Sequence, residues 1–190
     1  MRRVQAAALT LFERRGFDAV TVEEIAQAAK VGPASVYRNF GTKEGVVLWD
    51  EYDPLLLDAI RARLAKTPLL EAVTDALIVT LDAIYETDRA RILRRTRLML
   101  SIPALVSASE PDREALRGAL ADLFVESRAA SAGLGAEVAA AAIVATLTAA
   151  VTRWAHDRGK RPMRDVLREA FAALSALGAR PRRPRVGRIS

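Results

Sequence analysis

The chain of 190 residues contains no cysteine, which excludes disulfides, thiolate metal sites and cysteine nucleophiles. It has one histidine, and aromatic residues make up only 5% of it. Strand-favouring residues are few, whereas Ala, Leu, Arg and Glu dominate, a composition that favours helices. No phosphate-binding glycine loop, paired acidic motif or metal-ligand spacing occurs. His156 stands beside Asp157, but no nucleophile lies at a recognisable spacing. A surface role beside the Arg158 turn is therefore expected, and no catalytic residue, cofactor or metal is assigned. The most apolar run, Val138 to Val151, contains Thr146 and Thr148 and is short for a membrane span. The charged N-terminus leads into an amphipathic helix rather than an apolar core, which argues against a signal peptide. These absences together predict a soluble, cytoplasmic, all-α protein that contacts no membrane and is not an enzyme.

Basic charge is present but concentrated. The formal net charge is +6, and Arg180, Arg182, Arg183, Arg185 and Arg188 carry five of those charges within the last residues. What precedes them is nearly neutral, so the high isoelectric point is weak evidence for nucleic-acid binding. A tail over 179–190, rich in Pro and Arg, is expected to be disordered.

The stretch TVEEIAQAAKVGPASVYRNF, from Thr21 to Phe40, organises the rest. Thr21 followed by Glu24 forms a capping box that starts a helix. Val22, Ile25, Ala26 and Ala29 then make one apolar stripe at helical spacing. Gly32 is a permitted N-cap and Pro33 is favoured at the first helical position, so a second helix begins there. Val36 and Phe40 point inward on it, leaving Ser35, Arg38 and Asn39 on the other side. Two short helices at a steep angle with a tight turn form a helix-turn-helix, whose second helix can enter a DNA major groove. The bland alternative is an ordinary helical hairpin with a solvated polar face.

Before this pair, Arg2 to Arg15 reads as a helix with Val4, Ala7, Ala8, Leu11 and Phe12 on one face, ended by Gly16. After it, Thr42 is an N-cap for a fourth helix. Helices are expected over 55–64, 68–86, 88–101, 111–130, 136–157 and 162–177. The segment SIPALVSASEPD reads as a loop, and the helix over 136–157 is apolar all round, which implies burial on all sides.

Residues 2–48 resemble the N-terminal domain of the tetracycline-repressor (TetR) family of transcriptional regulators. The landmarks are Phe12, Gly16-Phe17, Thr21, Ile25-Ala26, Val31, Tyr37-Arg38, Phe40 and Lys43-Glu44. Two departures stand at the turn: Lys30 where the family usually has Gly, and Gly32 where a Ser usually caps the reading helix. The resemblance implies a helix-turn-helix DNA-binding domain over 1–48 and a helical effector-binding and dimerisation domain over 49–178. It further implies a ligand-responsive repressor that binds a palindromic operator of double-stranded DNA as a homodimer and is released by a small-molecule effector.

By the same resemblance Thr21, Tyr37 and Lys43 contact phosphates, with Thr42 beside them at a helix start. Pro33, Ala34, Ser35, Arg38 and Asn39 face the bases. Arg can pair with guanine through two bonds, and Asn with adenine. Thr21 has a purely structural alternative as a cap, and Arg38 can equally sit on a phosphate. Trp49, Tyr52, Tyr85, Met99 and Trp154 are candidates to line a cavity, with core packing as the alternative for each. The cluster Arg89, Arg91, Arg94, Arg95 and Arg97 invites either an anionic ligand or a solvated face. The last two long helices are the expected dimer interface, with Ala145, Ala149 and Ala150 allowing close approach. A DNA-coating protein acting through its Arg tail and a small α-helical enzyme with a cavity of titratable groups are the competing functions.

Overall fold

In a computed structural model, described over residues 1–177, the chain forms ten helices and, among the described residues, no strand. Gly178 and the basic tail lie outside the described residues. The order is α1 (Arg2–Arg15), α2 (Val22–Ala28), α3 (Pro33–Phe40), α4 (Lys43–Leu48), α5 (Asp53–Leu64), α6 (Leu69–Ser101), α7 (Pro103–Ala108), α8 (Glu110–Glu126), α9 (Leu134–His156) and α10 (Met163–Leu177).

The first four helices close around a small core. Val4, Ala8 and Phe12 of α1 meet Phe17, Val20, Ile25, Ala26, Val36, Val46 and Val47. Gly16 ends α1 at φ 82°, and its amide bonds the Phe12 carbonyl. That turn brings Phe17 back onto Phe12 with ring centroids 4.9 Å apart. Gly45 is required for a different reason. A Cβ there would lie 2.0 Å from the Phe40 carbonyl oxygen, so the start of α4 rests directly on the end of α3. Any side chain at Gly45 would force the two helices apart, at a cost of roughly 1–3 kcal/mol.

The larger body is arranged around α6, which packs against α5, α9 and α10, while α8 lies on α9. Its core includes Leu56, Ile60, Val73, Leu77, Phe124, Ile143, Trp154, Leu167 and Phe171. The two helices expected over 68–86 and 88–101 are one element, kinked at Asp88, whose φ of −131° is not helical. The segment expected as a loop is helical: Pro103 occupies the first turn of α7, a position where its missing N–H costs nothing. What fixes α7 is burial. Leu105 is fully buried in the small core, joined there by Leu98, Met99 and Ile102. The body thus inserts its own side chains under the first four helices.

The third difference concerns α9, which is not buried on all sides. Leu134 is 74% exposed and Val138 57%, and Ala145 and Ala149 are exposed while Ala150 is buried. Because the helix runs from Leu134 to His156, it is long and apolar enough by length and composition to cross a membrane, which the shorter apolar run did not suggest. Only 28% of its most apolar window is buried, and part of the remainder, Leu134, Val138, Ala145 and Ala149, is exposed.

Candidate nucleic-acid interface and ligand cavity

The capping box at Thr21 forms in full. Its hydroxyl accepts from the Glu24 amide at 3.2 Å, and the Glu24 carboxylate accepts from the Thr21 amide at 2.9 Å. Thr42 caps α4 in the same way, accepting from the Gly45 amide at 3.1 Å. Each hydroxyl uses a lone pair for the cap and keeps its own O–H to donate. Both threonines are exposed, so capping and phosphate contact are compatible in each.

On α3, Pro33, Ala34, Tyr37, Arg38 and Asn39 are exposed and Ser35 is half-buried. Asn39 turns back on its own helix, donating to the Ser35 carbonyl at 2.7 Å. Tyr37 donates to the Glu23 carboxylate at 3.0 Å. That bond and the backbone amide of Glu23 itself hold the Glu23 carboxyl below its ordinary range, the amide being the larger cause. Among the described residues no side chain bonds Arg38. Lys43, expected at a phosphate, has partners within the chain. Its ammonium donates to the carbonyls of Phe17, Asp18 and Val20 at 2.9–3.4 Å and sits 4.4 Å from the centre of the Phe17 ring. All three of its donors are directed at the loop between α1 and α2, so it fastens that loop.

Within the arginine cluster Arg91, Arg94 and Arg95 reach across to the first four helices and their connection, whereas Arg97 is exposed and bonds no described side chain. Those three arginines clamp the four-helix unit to the body. Gln5, fully buried on α1, donates to the carbonyls of Val46, Val47 and Trp49 at 3.0–3.3 Å, satisfying the end of α4. Its amide oxygen accepts from Arg91 of α6. Arg91 also donates to Asp88, to Glu51 at 3.1 Å and to the Tyr52 hydroxyl at 3.1 Å. Tyr52 in turn donates to Asp88 at 2.8 Å. Arg94 grips Glu13 of α1 with two bonds of 2.7 Å, and Arg95 donates to the Trp49 carbonyl at 2.8 Å and to Asp50 at 2.5 Å. Arg89 bonds the Gly159 carbonyl within the body. The Arg91 guanidinium holds Asp88 below the usual carboxylate range, and Arg94 does the same for Glu13.

Next to this junction lies a cavity of about 1180 Å³. Trp49, Tyr52, Tyr85 and Met99 line it, together with Phe40, Leu48, Leu56, Ile92, Arg95, Thr96, Ser109, Leu147 and Val151. Trp154 lines a second, smaller cavity instead, beside Tyr85, Arg89 and Met163. That indole is 1% exposed, stacks edge-on against Tyr85 at 4.8 Å and donates to the Arg161 carbonyl at 3.1 Å. Burial pushes the Tyr85 phenol well above its ordinary value, so it remains a neutral O–H donor.

Residues 5–48 match the family profile described as bacterial regulatory proteins, tetR family, and residues 67–178 match the MftR C-terminal domain. The second match alone covers more than half of the chain. The chain belongs to the TetR family. The HTH-type transcriptional regulator TcmR of Streptomyces glaucescens is 31% identical over 124 residues, 62% of this chain and 55% of that protein. The chain therefore spans about half the length of that curated relative. Thermus thermophilus FadR, a TetR-family transcriptional repressor solved with lauroyl-CoA, aligns with a TM-score of 0.58 and 22% identity over 98% of both chains. A TetR-family regulator from Syntrophomonas wolfei aligns with a TM-score of 0.66 and 12% identity over 93% of both. At these identities the two structures establish a shared fold.

The two departures of this TetR chain at its turn now have a physical reading. Lys30 adopts φ 53°, the left-handed region in which glycine is at ease, which explains why a Gly is usual there. Gly32 sits at φ −72° in extended geometry and makes no side-chain cap. It needs no glycine freedom, so the residue there forgoes a capping hydroxyl without relieving any strain.

The clamp predicts unequal consequences for neighbouring arginines. Arg91→Met should leave the buried Gln5 oxygen without its donor and Asp88 with the Tyr52 hydroxyl alone, and lower unfolding free energy by roughly 1–3 kcal/mol. Arg94→Met breaks a pair whose side chains are 38% and 46% exposed and should cost at most about 1 kcal/mol. Both carboxylates have depressed folded pKa values, so their contribution is complete above their ordinary values of 3.8 and 4.5 and is lost as pH falls through the depressed ones. Denaturant titrations at neutral pH and near pH 3 check both statements.

Proposed function

We propose that this TetR-family chain is a cytoplasmic, ligand-responsive repressor that binds a palindromic operator as a homodimer and is released by a small-molecule effector. The observation that carries this reading is that one cavity is walled by both the reading end and the body, with Phe40, Trp49 and Tyr85 on it together. Occupancy of such a cavity cannot be indifferent to how the two parts sit. A ligand shifts an equilibrium only through different affinity for its two states, and a shared wall supplies that difference.

In this proposal residues 1–48 read DNA and residues 49–178 bind the effector and dimerise. Thr21, Tyr37 and Thr42 present hydroxyls to phosphates, while Lys43 chiefly supports the loop that holds Thr21. Pro33, Ala34, Ser35, Arg38 and Asn39 face the bases. Asn39 gives up its bond to the Ser35 carbonyl when it engages a base, and Tyr37 exchanges Glu23 for a phosphate. The apolar lining suits an effector with an apolar body, consistent with the lauroyl-CoA held by the FadR relative.

Two copies are proposed to meet along α9 and α10. Leu134, Val138, Ala145 and Ala149 recur along one exposed edge of α9, and Ala172, Ala173 and Ala176 are exposed on α10. A two-fold interface pairs one patch with its own copy, and rows of small residues permit close helix approach. Ala150, being buried within the chain, does not belong to this face.

Selection of bound sequences from random DNA should return a two-fold motif whose half-sites lie about 34–36 Å apart, or farther by further turns of DNA. Asn39→Ala should relax preference at one base position and cost roughly 1–3 kcal/mol. Enrichment of no motif would favour sequence-independent coating instead. For the dimer, Ala149→Arg should place an unpaired charge in the interface and cost several kcal/mol of association. Light scattering should then report a folded monomer, and a folded dimer would place the interface elsewhere.

A further inference from the structure

Two glutamates stand side by side in the first turn of α2, and their surroundings differ. Glu24 closes the capping box with Thr21 and pairs with Arg15 at 2.7 Å. Glu23 does neither. Among the described residues no cation pairs with it, and the Tyr37 hydroxyl donates to it at 3.0 Å. Its carboxyl is held below its ordinary range by its own backbone amide first, then by Tyr37 and, less, by the Thr21 hydroxyl. An uncompensated carboxylate therefore lies beside the two hydroxyls proposed to meet phosphates on α2 and α3. All three residues are exposed, so burial does not require this arrangement.

A phenol has one O–H to donate, and carboxylate and phosphate oxygens can only accept it. Tyr37 can therefore serve Glu23 or the DNA backbone, but not both. A phosphate oxygen at roughly 2.7 Å from that hydroxyl would also lie within about 6 Å of the carboxylate oxygen bonded there. That is inside the screening length of about 8 Å at physiological salt, so the like charges repel. We infer that Glu23 is an internal competitor of the DNA backbone: it occupies the Tyr37 hydroxyl in the free protein and weakens binding to every duplex. The inference rests on the DNA-binding reading above and adds the residue that limits its strength. Phosphate contacts carry no sequence information, so the penalty falls alike on operator and on unrelated DNA. Glu23 is thus a positioning residue that acts through Tyr37 and sets affinity without setting preference.

The test uses the full chain, an operator taken from DNA selection and a duplex of unrelated sequence. Glu23→Ala frees the hydroxyl and should tighten both duplexes by about two- to fivefold per protomer engaged, the range of one exposed charged contact. Glu23→Gln removes the charge but keeps an acceptor for Tyr37, so it should tighten both by less. In a Tyr37→Phe background Glu23→Ala should gain less than it does with the hydroxyl present, a difference that a double-mutant cycle isolates. Thermal unfolding checks that each variant is folded. A role only at the start of α2 would leave affinity unchanged or lower it, and either result overturns the inference. Equal gains from Ala and Gln in both backgrounds would show plain charge repulsion without competition. A gain on the operator alone would make Glu23 a reader of bases and would overturn it too. Each of these leaves DNA binding by the unsubstituted chain intact, whereas loss of that binding would remove the regulator reading as well.

Discussion

One guanidinium holds the two parts of this protein in register. Arg91 bonds Gln5 from the first helix, Glu51 and Tyr52 from the connection, and Asp88 on its own helix. Its side chain is 13% exposed and that of Asp88 is 18%, so the group cannot simply return to water when a partner is lost. Gln5 extends the same network by capping the carbonyls at the end of α4. Since α4 rests on α3 through Gly45, the position of the reading helix follows from Arg91 through a short chain of direct contacts. The kink in α6 falls at Asp88 itself, where the carboxylate is turned toward Arg91 and Tyr52.

Around this junction the cavity and the exposed face of α9 take their places. The cavity reaches the same residues from the other side, through Tyr52, Trp49 and Arg95. Helix α9 contributes Val144, Leu147 and Val151 to the cavity wall while Leu134, Val138, Ala145 and Ala149 stay outside. One helix therefore borders both the proposed ligand and the proposed partner copy. The proposed effector and the proposed partner copy thus share one helix, and coupling between sites is carried by such contiguous packed elements.

Much of the reading end was legible in the sequence, because its signals are local. A capping box, a Gly-Pro helix start and an apolar stripe each involve residues within one or two turns of one another. The structure places Thr21, Thr42, Val36 and Gly16 as those signals imply. The clamp was not legible. Arg91 meets Gln5 across 86 residues and Glu51 across 40, and nothing in a run of arginines says which acids and carbonyls will face it. Helix α7 escaped notice because Pro103 can end one helix or start another, and only the burial of Leu105 decides between them. On α9 an all-round apolar pattern states that every face is covered but not by what. Part of the cover here comes from the chain's own core, and the rest is the surface proposed for a second copy. Trp154 packs in the core with its N–H on the Arg161 carbonyl and borders a smaller cavity than the other four candidates do.

The most direct test of this account is the distance between the reading helix and the body. The chain has no native cysteine, so spin labels can be placed at Ala34→Cys on α3 and at Val79→Cys, an exposed site on α6. Labelled chains would be diluted into unlabelled ones and measured by pulsed dipolar spectroscopy. With Arg91 intact a single narrow distance distribution is predicted, and Arg91→Met should broaden it while the helical content stays unchanged. An equally narrow distribution in the folded Arg91→Met variant would show that the junction does not depend on this guanidinium and would contradict the account.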